Sequence, residues 1–142
     1  MEIGTCEITA EEVIHALETR KTHVLATCAE NRVTIRPMSH INDGLTVFFQ
    51  TNRNSLKMSQ IRANPLVALY VGTYEIEGAA SELGRPLADE NAFFAQEYRK
   101  RHPRAFERYS STEDEIVVRI TVKRVRQWRY IDGKALLADS TF

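Results

Sequence analysis

The chain has 142 residues, of which 43% are hydrophobic and 27% are charged. This length and composition are typical of one globular domain, so we treat residues 1–142 as a single domain. Lys plus Arg total 19 and Asp plus Glu total 19, and this zero net charge argues against nucleic acid or an anionic membrane as a partner. The chain has no apolar run of bilayer-spanning length and no signal-peptide layout at its acidic N-terminus, so we expect a cytoplasmic protein.

The first half of the chain alternates short helices and strands. Thr9 and Glu12 form a capping-box pattern at the start of the first helix. Residues 33–38 alternate with a period of two, and Asn42-Asp43-Gly44 carries a tight hairpin signal. The predicted elements are helices of about 9–20 and 54–62, strands at 23–28, 33–38 and 45–50, and a turn at 29–31.

The second half opens where Asn64-Pro65 ends the second helix. The apolar run Leu66–Val71 predicts a strand that is buried on both faces, and Gly78 in the next strand permits close approach of another backbone. A shift of the apolar phase at Lys123-Arg124 predicts a bulge in the last strand. The predicted elements are strands at 66–71 and 74–83, a helix at about 86–101, a further turn from 103, and a long strand from 115.

The tally is about six strands and three helices. The strands are mostly antiparallel because their connections are short. A chain with many short strands around one core usually closes into a barrel or a sandwich, and we favour a barrel.

Four residue types suited to a phosphate group lie close together in the sequence. Arg36 comes from one strand, Thr51 ends the next, and Ser55 and Lys57 lie in the first turn of the following helix. A helix start offers unpaired N–H groups and a partial positive charge. Pro37 cannot donate to a sheet ladder, which places its strand at an edge or a bulge and frees nearby backbone groups. In the alternative interpretation these are solvated charges and ordinary strand and helix ends.

Several segments together resemble one family. Arg36-Pro37-Met38, Phe49-Gln50-Thr51-Asn52, Ser55-x-Lys57 and Asn64-Pro65 resemble the FMN-binding split β-barrel proteins related to pyridoxamine 5′-phosphate oxidase. The similarity is greatest to short bacterial members, some of which are nitro-group reductases. It implies a mainly β fold with flanking helices, a six-stranded antiparallel split barrel, and a homodimer with FMN at the interface.

The resemblance also implies roles for individual residues. Arg36 and Lys57 would neutralise the FMN phosphate, while Thr51 and Ser55 would donate hydroxyl hydrogen bonds to it. Backbone groups of Arg36–Met38, which includes Pro37, and of Phe49–Gln50 would meet the polar edge of the flavin ring, with Asn52 in the same segment. The partner chain would supply Trp128, together with Gln127 or Arg129. Trp128 also fits a role in core or dimer packing.

The function that this family implies is an FMN-dependent oxidoreductase acting on a small organic molecule, with a nicotinamide nucleotide as a candidate electron donor. True pyridoxamine phosphate oxidases carry an Arg-rich C-terminal segment, whereas this sequence ends IDGKALLADSTF, so we expect another substrate. One alternative is a protein that stores or senses flavin, deazaflavin or haem without turnover. A second is a small nucleic-acid-binding barrel that uses the basic strand Lys123–Arg129.

Other candidate residues have two interpretations each. The four histidines are scattered, which predicts no metal site. His40 could approach the flavin, although a surface or hairpin position is the simpler expectation. Aromatic residues at helical spacing could wall a substrate space or pack in the core, namely Phe93, Phe94, Tyr98 and Phe106.

Overall fold

A computed structural model describes residues 4–142, so residues 1–3 of the predicted domain lie outside it. The helices are α1 (Ala10–Thr19), α2 (Leu56–Ala63), α3 (Ala92–Arg101) and α4 (Pro103–Tyr109), with a short 3-10 helix at Asp89–Asn91. The strands are β1 (Gly4–Cys6), β2 (Thr22–Ala29), β3 (Arg32–Ser39), β4 (Ile41–Asp43), β5 (Thr46–Asn52), β6 (Leu66–Val71), β7 (Tyr74–Gly84), β8 (Glu115–Ile131) and β9 (Lys134–Thr141).

All nine strands belong to one mainly antiparallel sheet in which β8 has two different partners along one side. The main order is β1-β9-β8-β7-β6-β2-β3, and among the pairs formed by residues 4–142 only β1–β9 is parallel. Residues Glu115–Ile120 of β8 pair with β5, and Arg124–Ile131 pair with β9. The first half of β8 therefore lies beside β5, and the second half lies beside β9.

The sequence predicts about six strands, whereas the structure describes nine. The three further strands are β1, β4 and β9. β1 and β4 have three residues each, which is too short to show a period. β9 follows a tight turn at Asp132-Gly133, where both residues have positive φ (52° and 76°). That Asp-Gly pair is a hairpin signal that could have revealed β9.

The bulge predicted in the last strand is confirmed. Glu77 of β7 pairs with Arg124 while Gly78 pairs with Val122, so Lys123 is the extra residue. Gly78 faces this bulge, and a Cβ there would lie 2.8 Å from the carbonyl oxygen of Thr121. The bulge lets Val122 and Val125 both face the core, at 6% and 0% exposure.

The sheet does not close into a continuous barrel, because it is open between β3 and β5. β3 pairs only with β2, and β5 pairs with β8 and, over Thr46–Phe48, with β4. Within residues 4–142 no ladder joins β3 to β5, so both strands present an edge at this seam. Pro37 lies in β3, which agrees with the edge position that its missing N–H predicts.

One face of the sheet, formed by β2, β3 and β6, is apolar and exposed. We call it the outer apolar face; its members are Val24, Val33, Ile35, Leu66 and Tyr70. The prediction that Leu66–Val71 is buried on both sides is wrong, because Leu66 is 63% exposed and Tyr70 is 52% exposed. The opposite side chains of β6, Val67, Leu69 and Val71, pack in the core.

The helices begin where their capping residues allow. Thr9 and Glu12 form the predicted capping box at the start of α1. The helix predicted from Pro86 is replaced up to Ala88 by a turn and extended chain, and α3 begins only at Ala92.

No helix within residues 4–142 has both the length and the apolar character needed to cross a bilayer.

Candidate functional site

A cavity of about 530 Å³ lies at the open seam, where β3 and β5 end. This volume falls in the range of small-molecule sites. Side chains from the two strand ends, α3, α4 and the segment before β8 line the cavity. They are Pro37, Met38, Ser39, Gln50, Thr51, Asn52, Tyr98, Ala105, Tyr109, Thr112, Glu113, Asp114 and Glu115. Five of the predicted site residues, Pro37, Met38, Gln50, Thr51 and Asn52, are among them.

Lys57 meets the cavity wall through Thr51. Its Nζ donates a hydrogen bond of 2.9 Å to Thr51 Oγ1. Burial lowers the pKa of Lys57, the guanidinium of Arg36 lowers it further, and the carboxylate of Glu115 raises it. Two cations close enough to disfavour each other's charge are a site suited to an anion.

Arg36 is held on the inner side of β3 by a network of hydroxyl groups. Its Nη1 donates to Thr27 Oγ1 at 2.8 Å, and its Nη2 donates to Thr34 Oγ1. Both threonine hydroxyls donate in turn to Gln60 Oε1 of α2, at 2.6 and 2.5 Å. Burial lowers the pKa of Arg36. The guanidinium is therefore positioned before any ligand arrives.

Ser55 lies at the N-terminus of α2 and its hydroxyl is unused. It is the N-cap residue, yet its side chain makes no capping hydrogen bond. Its Oγ is buried and has no partner within the described residues. A buried hydroxyl without a partner costs free energy, so a ligand oxygen placed here would satisfy a polar group already present.

Gln50 carries a second unused donor in the cavity wall. The residue is 5% exposed, and its Oε1 accepts a 2.7 Å hydrogen bond from Ser110 Oγ of the segment after α4. Its Nε2 is buried without a partner in residues 4–142. The bond to Ser110 fixes the amide orientation, and the remaining N–H groups are available to an acceptor in the cavity.

Phe49 differs from the next three residues of β5, because it does not line the cavity. Its side chain is completely buried in the main hydrophobic core. Any contact with a ligand must therefore come from its backbone, as the sequence interpretation proposes. The β5 edge that faces away from β8 has β4 as a partner only up to Phe48, so Phe49–Asn52 have no strand on that side in the part of the chain described.

Trp128 lies far from the cavity within one chain. It is 52% exposed and pairs with Leu137 of β9. Glu115, which lines the cavity, is thirteen residues earlier on the same strand. Thirteen strand residues span roughly 40 Å, so Trp128 does not contribute to the cavity of its own chain.

The sequence analysis did not identify Glu115 as a cavity residue, and it named Tyr98 only as a residue that could wall a substrate space or pack in the core. Glu115, the first residue of β8, is 7% exposed and pairs across the ladder with Asn52. Tyr98 of α3 is 3% exposed, and burial together with Glu115 raises its pKa to about 12. A charged residue opening an otherwise apolar strand was the available signal for Glu115.

The other aromatic residues of this region fit both interpretations. Phe94 and Tyr98 are buried in a small cluster with Ile41 and Val117, and Tyr98 also lines the cavity. Phe93 is 45% exposed and contacts Phe48 edge-on, with ring centroids 6.3 Å apart. Tyr98 is thus the one of the predicted aromatic residues that forms part of the described cavity wall.

The surface position expected for His40 is wrong. His40 is fully buried, and its Nδ1 lies 3.0 Å from His23 Nδ1. Its Nε2 donates to the carbonyl of Leu17 in α1 at 2.9 Å, so its Nδ1 is the acceptor and His23 is the donor. His102 Nε2 donates to the His40 carbonyl at 2.8 Å. These histidines join α1, β2 and α3 rather than facing the cavity.

The basic strand is largely neutralised. Arg124 pairs with Asp139 at 2.5 Å, Arg126 pairs with Glu77 at 3.5 Å, and Arg129 pairs with Glu12. These ion pairs leave little positive field on the strand that the nucleic-acid alternative requires.

Comparison with known proteins supports the family. The family model described as pyridoxamine 5′-phosphate oxidase matches residues 9–129. A candidate pyridoxamine 5′-phosphate oxidase from Listeria innocua is 20% identical, with a TM-score of 0.67 over 83% of this chain and 96% of that one. No curated protein is significantly similar in sequence.

Other structures of similar fold bind different ligands. The haem storage protein HutZ from Vibrio cholerae is 16% identical, with a TM-score of 0.69 over 80% of this chain and 89% of that one. An FAD-binding protein from Mesorhizobium loti is also 16% identical, with a TM-score of 0.67 over 83% of this chain and 92% of that one. Proteins of this fold therefore include flavin-binding and haem-binding members. Because the family model matches most of its length, the chain belongs to the pyridoxamine 5′-phosphate oxidase family.

Proposed function

We propose that the chain is a cytoplasmic, homodimeric FMN-binding oxidoreductase that acts on a small organic molecule. The observation that carries the proposal is the unused hydroxyl of Ser55 beside the Lys57–Thr51 pair, with Arg36 as the second cation. Thr51, which accepts the Lys57 hydrogen bond, lines a cavity whose volume suits a cofactor, whereas Ser55, Lys57 and Arg36 lie behind that lining.

The groups around Lys57 and Arg36 provide the positive charge that a phosphate monoester needs. Such a group carries about −1.5 to −2 charges at neutral pH. Lys57, Arg36 and the first N–H groups of α2 supply the balancing positive charge. Charge-assisted hydrogen bonds are stronger than neutral ones, and a partly buried position is weakly screened by salt.

The remainder of the cavity suits the ring. Gln50 Nε2 is an unsatisfied donor for a ring oxygen or nitrogen, and the free edge of Phe49–Asn52 adds backbone groups. Met38 and Tyr98 supply apolar surface. When bound, FMN supplies the hydride or electron transfer, and the residues described here orient the ring and limit water.

A second copy of the chain is proposed to cover the outer apolar face. Its exposed members, Val33, Ile35, Leu66 and Tyr70, are neighbours on one face, and contiguous exposed apolar side chains of this kind mark interaction sites. Pro37 belongs to the same face and also lines the cavity, so a partner seated there would reach the site. The partner's Trp128 is the proposed contact to the ring, because Trp128 of the same chain lies too far away.

Titration of the cofactor-free protein with FMN and with riboflavin tests the phosphate site. We expect FMN to bind at least about 100-fold more tightly, because the phosphate adds two or more charged hydrogen bonds. Flavin fluorescence quenching gives both affinities. Equal affinities, or no uptake of either flavin, would contradict the proposal.

Turnover separates an oxidoreductase from a storage protein. The FMN-loaded protein is reduced with NADH or NADPH in a stopped-flow instrument and then mixed with quinone or nitroaromatic acceptors. We expect reoxidation by at least one acceptor to be faster than reoxidation by oxygen alone. A reduced flavin that no acceptor reoxidises faster than oxygen does would favour storage or sensing instead.

A further inference from the structure

The cavity at the open seam is lined by carboxylates and by no cationic side chain. Glu113, Asp114 and Glu115 are among its lining residues, which include no lysine, arginine or histidine. Asp114 pairs with Arg53 at 3.5 Å on the exposed rim. The carboxylates of Glu113 and Glu115 have no ion pair within residues 4–142. The charge of this lining favours a cationic ligand over an anionic one.

Glu115 differs from the two rim residues because it is buried. It is 7% exposed, and its carboxylate accepts no hydrogen bond in the part of the chain that the structure describes. Buried charges are normally paired, because moving an isolated carboxylate out of water costs free energy. Lys57 does not supply the pair, since its Nζ donates to Thr51 and lies outside ion-pairing distance of Glu115. A positively charged group of a ligand would complete this carboxylate.

The pairing of β5 with β8 places Glu115 on the same face of the sheet as the unused amide of Gln50. Glu115 is opposite Asn52 in the ladder. Gln50 is opposite Val117, against which Tyr98 of α3 packs. Alternate residues of a strand share a face, so Gln50 and Glu115 are diagonal neighbours, whose Cα atoms lie roughly 7–8 Å apart. Two buried polar groups without partners therefore line the same small space.

The surroundings of Glu115 favour an organic cation over a metal ion. Among residues 4–142, no three His, Cys, Asp or Glu side chains converge as metal ligands. Tyr98 and Tyr109 line the cavity, and Met38 and Ala105 add apolar surface. Aromatic ring faces attract cations, and the guanidinium carbon of Arg108 already lies 5.3 Å from the centre of the Tyr109 ring. A protonated amine with an apolar body has a charge for the carboxylate and a surface for these side chains.

We propose that the Glu115 end of the cavity is the substrate subsite and that the substrate is a small organic amine, bound in its protonated form. This assignment rests on the function proposed above, in which Gln50 contacts the flavin ring. Because Glu115 is the diagonal neighbour of Gln50, an ammonium group held by its carboxylate lies beside the ring. Lys57 and Arg36 lie behind Thr51, on the opposite side of β5 from Gln50. Opposite charges therefore direct the cofactor phosphate and the substrate to different ends of the site.

Binding of benzylamine, benzyl alcohol and benzoate tests the inference. The three probes share a ring and are cationic, neutral and anionic at pH 7. Protein NMR titrations measure their dissociation constants in the cofactor-free and the FMN-loaded protein. The variants are E115Q, which keeps the shape of the side chain but removes its charge, and E107Q, which removes an exposed carboxylate of α4 outside the cavity.

We expect the wild type to bind benzylamine at least about tenfold more tightly than benzyl alcohol, because the ammonium group adds a charge-assisted hydrogen bond. Benzoate should bind most weakly. E115Q should lose the preference for benzylamine, and E107Q should keep it. Equal affinities for benzylamine and benzyl alcohol in the wild type, tighter binding of benzoate, or no binding of any probe would overturn the inference. A preference that persists in E115Q would overturn it as well.

If E115Q does not fold, the wild type alone decides through the position of its chemical-shift changes. On addition of benzylamine the backbone amide signals of residues 50–52 and 112–115 should shift most. Shifts confined to other parts of the chain would overturn the inference, because the amine would then be bound elsewhere.

The two proposals fail in different ways. Uptake of FMN without a preference for benzylamine overturns the substrate class and leaves the proposed function standing. A preference for benzylamine in a protein that takes up no FMN supports the cation site at Glu115 and overturns the choice of cofactor. In the FMN-loaded protein, benzylamine should shift the flavin absorption bands. A preference with an unchanged flavin spectrum overturns the position of the amine beside the ring.

Discussion

The charged groups of Lys57 and Arg36 are held in position by different numbers of hydrogen bonds. Arg36 is fixed by Thr27 and Thr34, whereas Lys57 has the single hydroxyl of Thr51. We expect Lys57→Ala and Arg36→Ala each to weaken FMN binding by about 1.5–3 kcal/mol, the range for hydrogen bonds to charged groups. Fluorescence titration measures the loss.

Two comparisons make the Lys57 and Arg36 result specific. Lys100→Ala removes an exposed cation from α3 and should leave FMN affinity unchanged. Riboflavin affinity should also be unaffected by either site variant, because riboflavin has no phosphate. An equal loss for both flavins would place the two cations at the ring instead of the phosphate.

The sequence was sufficient to identify those site residues that lie close together along the chain. Thr51, Ser55 and Lys57 lie within seven residues, so a strand end and the following helix start bring them together. Glu115 and Tyr98 reach the same cavity from distant parts of the chain. Spacing carries no information about such contacts, which only the sheet pairing reveals.

At the scale of elements, α1, β2 and α3 are joined through buried histidines. Burial, with the neighbouring His40, lowers the pKa of His23 to about 3, and burial lowers that of His40 to about 4. The unfolded chain therefore binds protons that the folded chain excludes. Stability is full above the unfolded pKa of about 6.5 and falls as the pH drops below it, by up to about 1.4 kcal/mol per pH unit for each proton.

Urea unfolding of the wild type at pH 7, 6 and 5 checks this dependence. H15Q is the matched control, because it replaces an exposed histidine that lies outside the buried pair. Burial alone would raise the pKa of Glu12, but its hydrogen bonds with Thr9 and Tyr74 lower it. The contribution of Glu12 to the free energy of unfolding is therefore lost only below about pH 4.5. A free energy of unfolding that is constant between pH 7 and 5 would contradict the buried neutral pair.

The prediction of elements succeeded where a residue has one strong local preference. The capping box of α1 and the bulge at Lys123 are both confirmed. The prediction of elements failed where pairing with a distant strand decides whether a strand forms or which face is buried. β4 exists because Ile41–Asp43 has β5 beside it, and β6 is apolar on a face that its own chain leaves exposed. An apolar run alone cannot distinguish a second buried face from an interface.

At the scale of the whole molecule, the outer apolar face predicts a dimer. Ile35 is 68% exposed near the middle of β3. We expect Ile35→Lys to give a monomer, because a charge in the core of an interface is costly to desolvate. Analytical ultracentrifugation measures the mass. FMN affinity should fall with it if the proposed contact from a second chain's Trp128 is lost.

The control for Ile35→Lys is Glu107→Lys, which places a lysine on the exposed surface of α4. It should remain dimeric and bind FMN as the wild type does. A monomeric wild type that binds FMN normally would show that the outer apolar face has another occupant and that one chain completes the site.

The extra residue at Lys123 has a consequence for the far end of β8. On a regular strand that includes Lys123, Trp128 would share the inward orientation of Val122. With the bulge, Val125 takes the inward orientation, Arg129 reaches Glu12, and Trp128 turns outward. Deleting Lys123 would therefore leave a regular strand with Val122 and Val125 still inward and Trp128 still outward. Straightening the strand with Lys123 retained would instead invert the last eight residues of β8 and drive the exposed Trp128 ring into the protein's own interior.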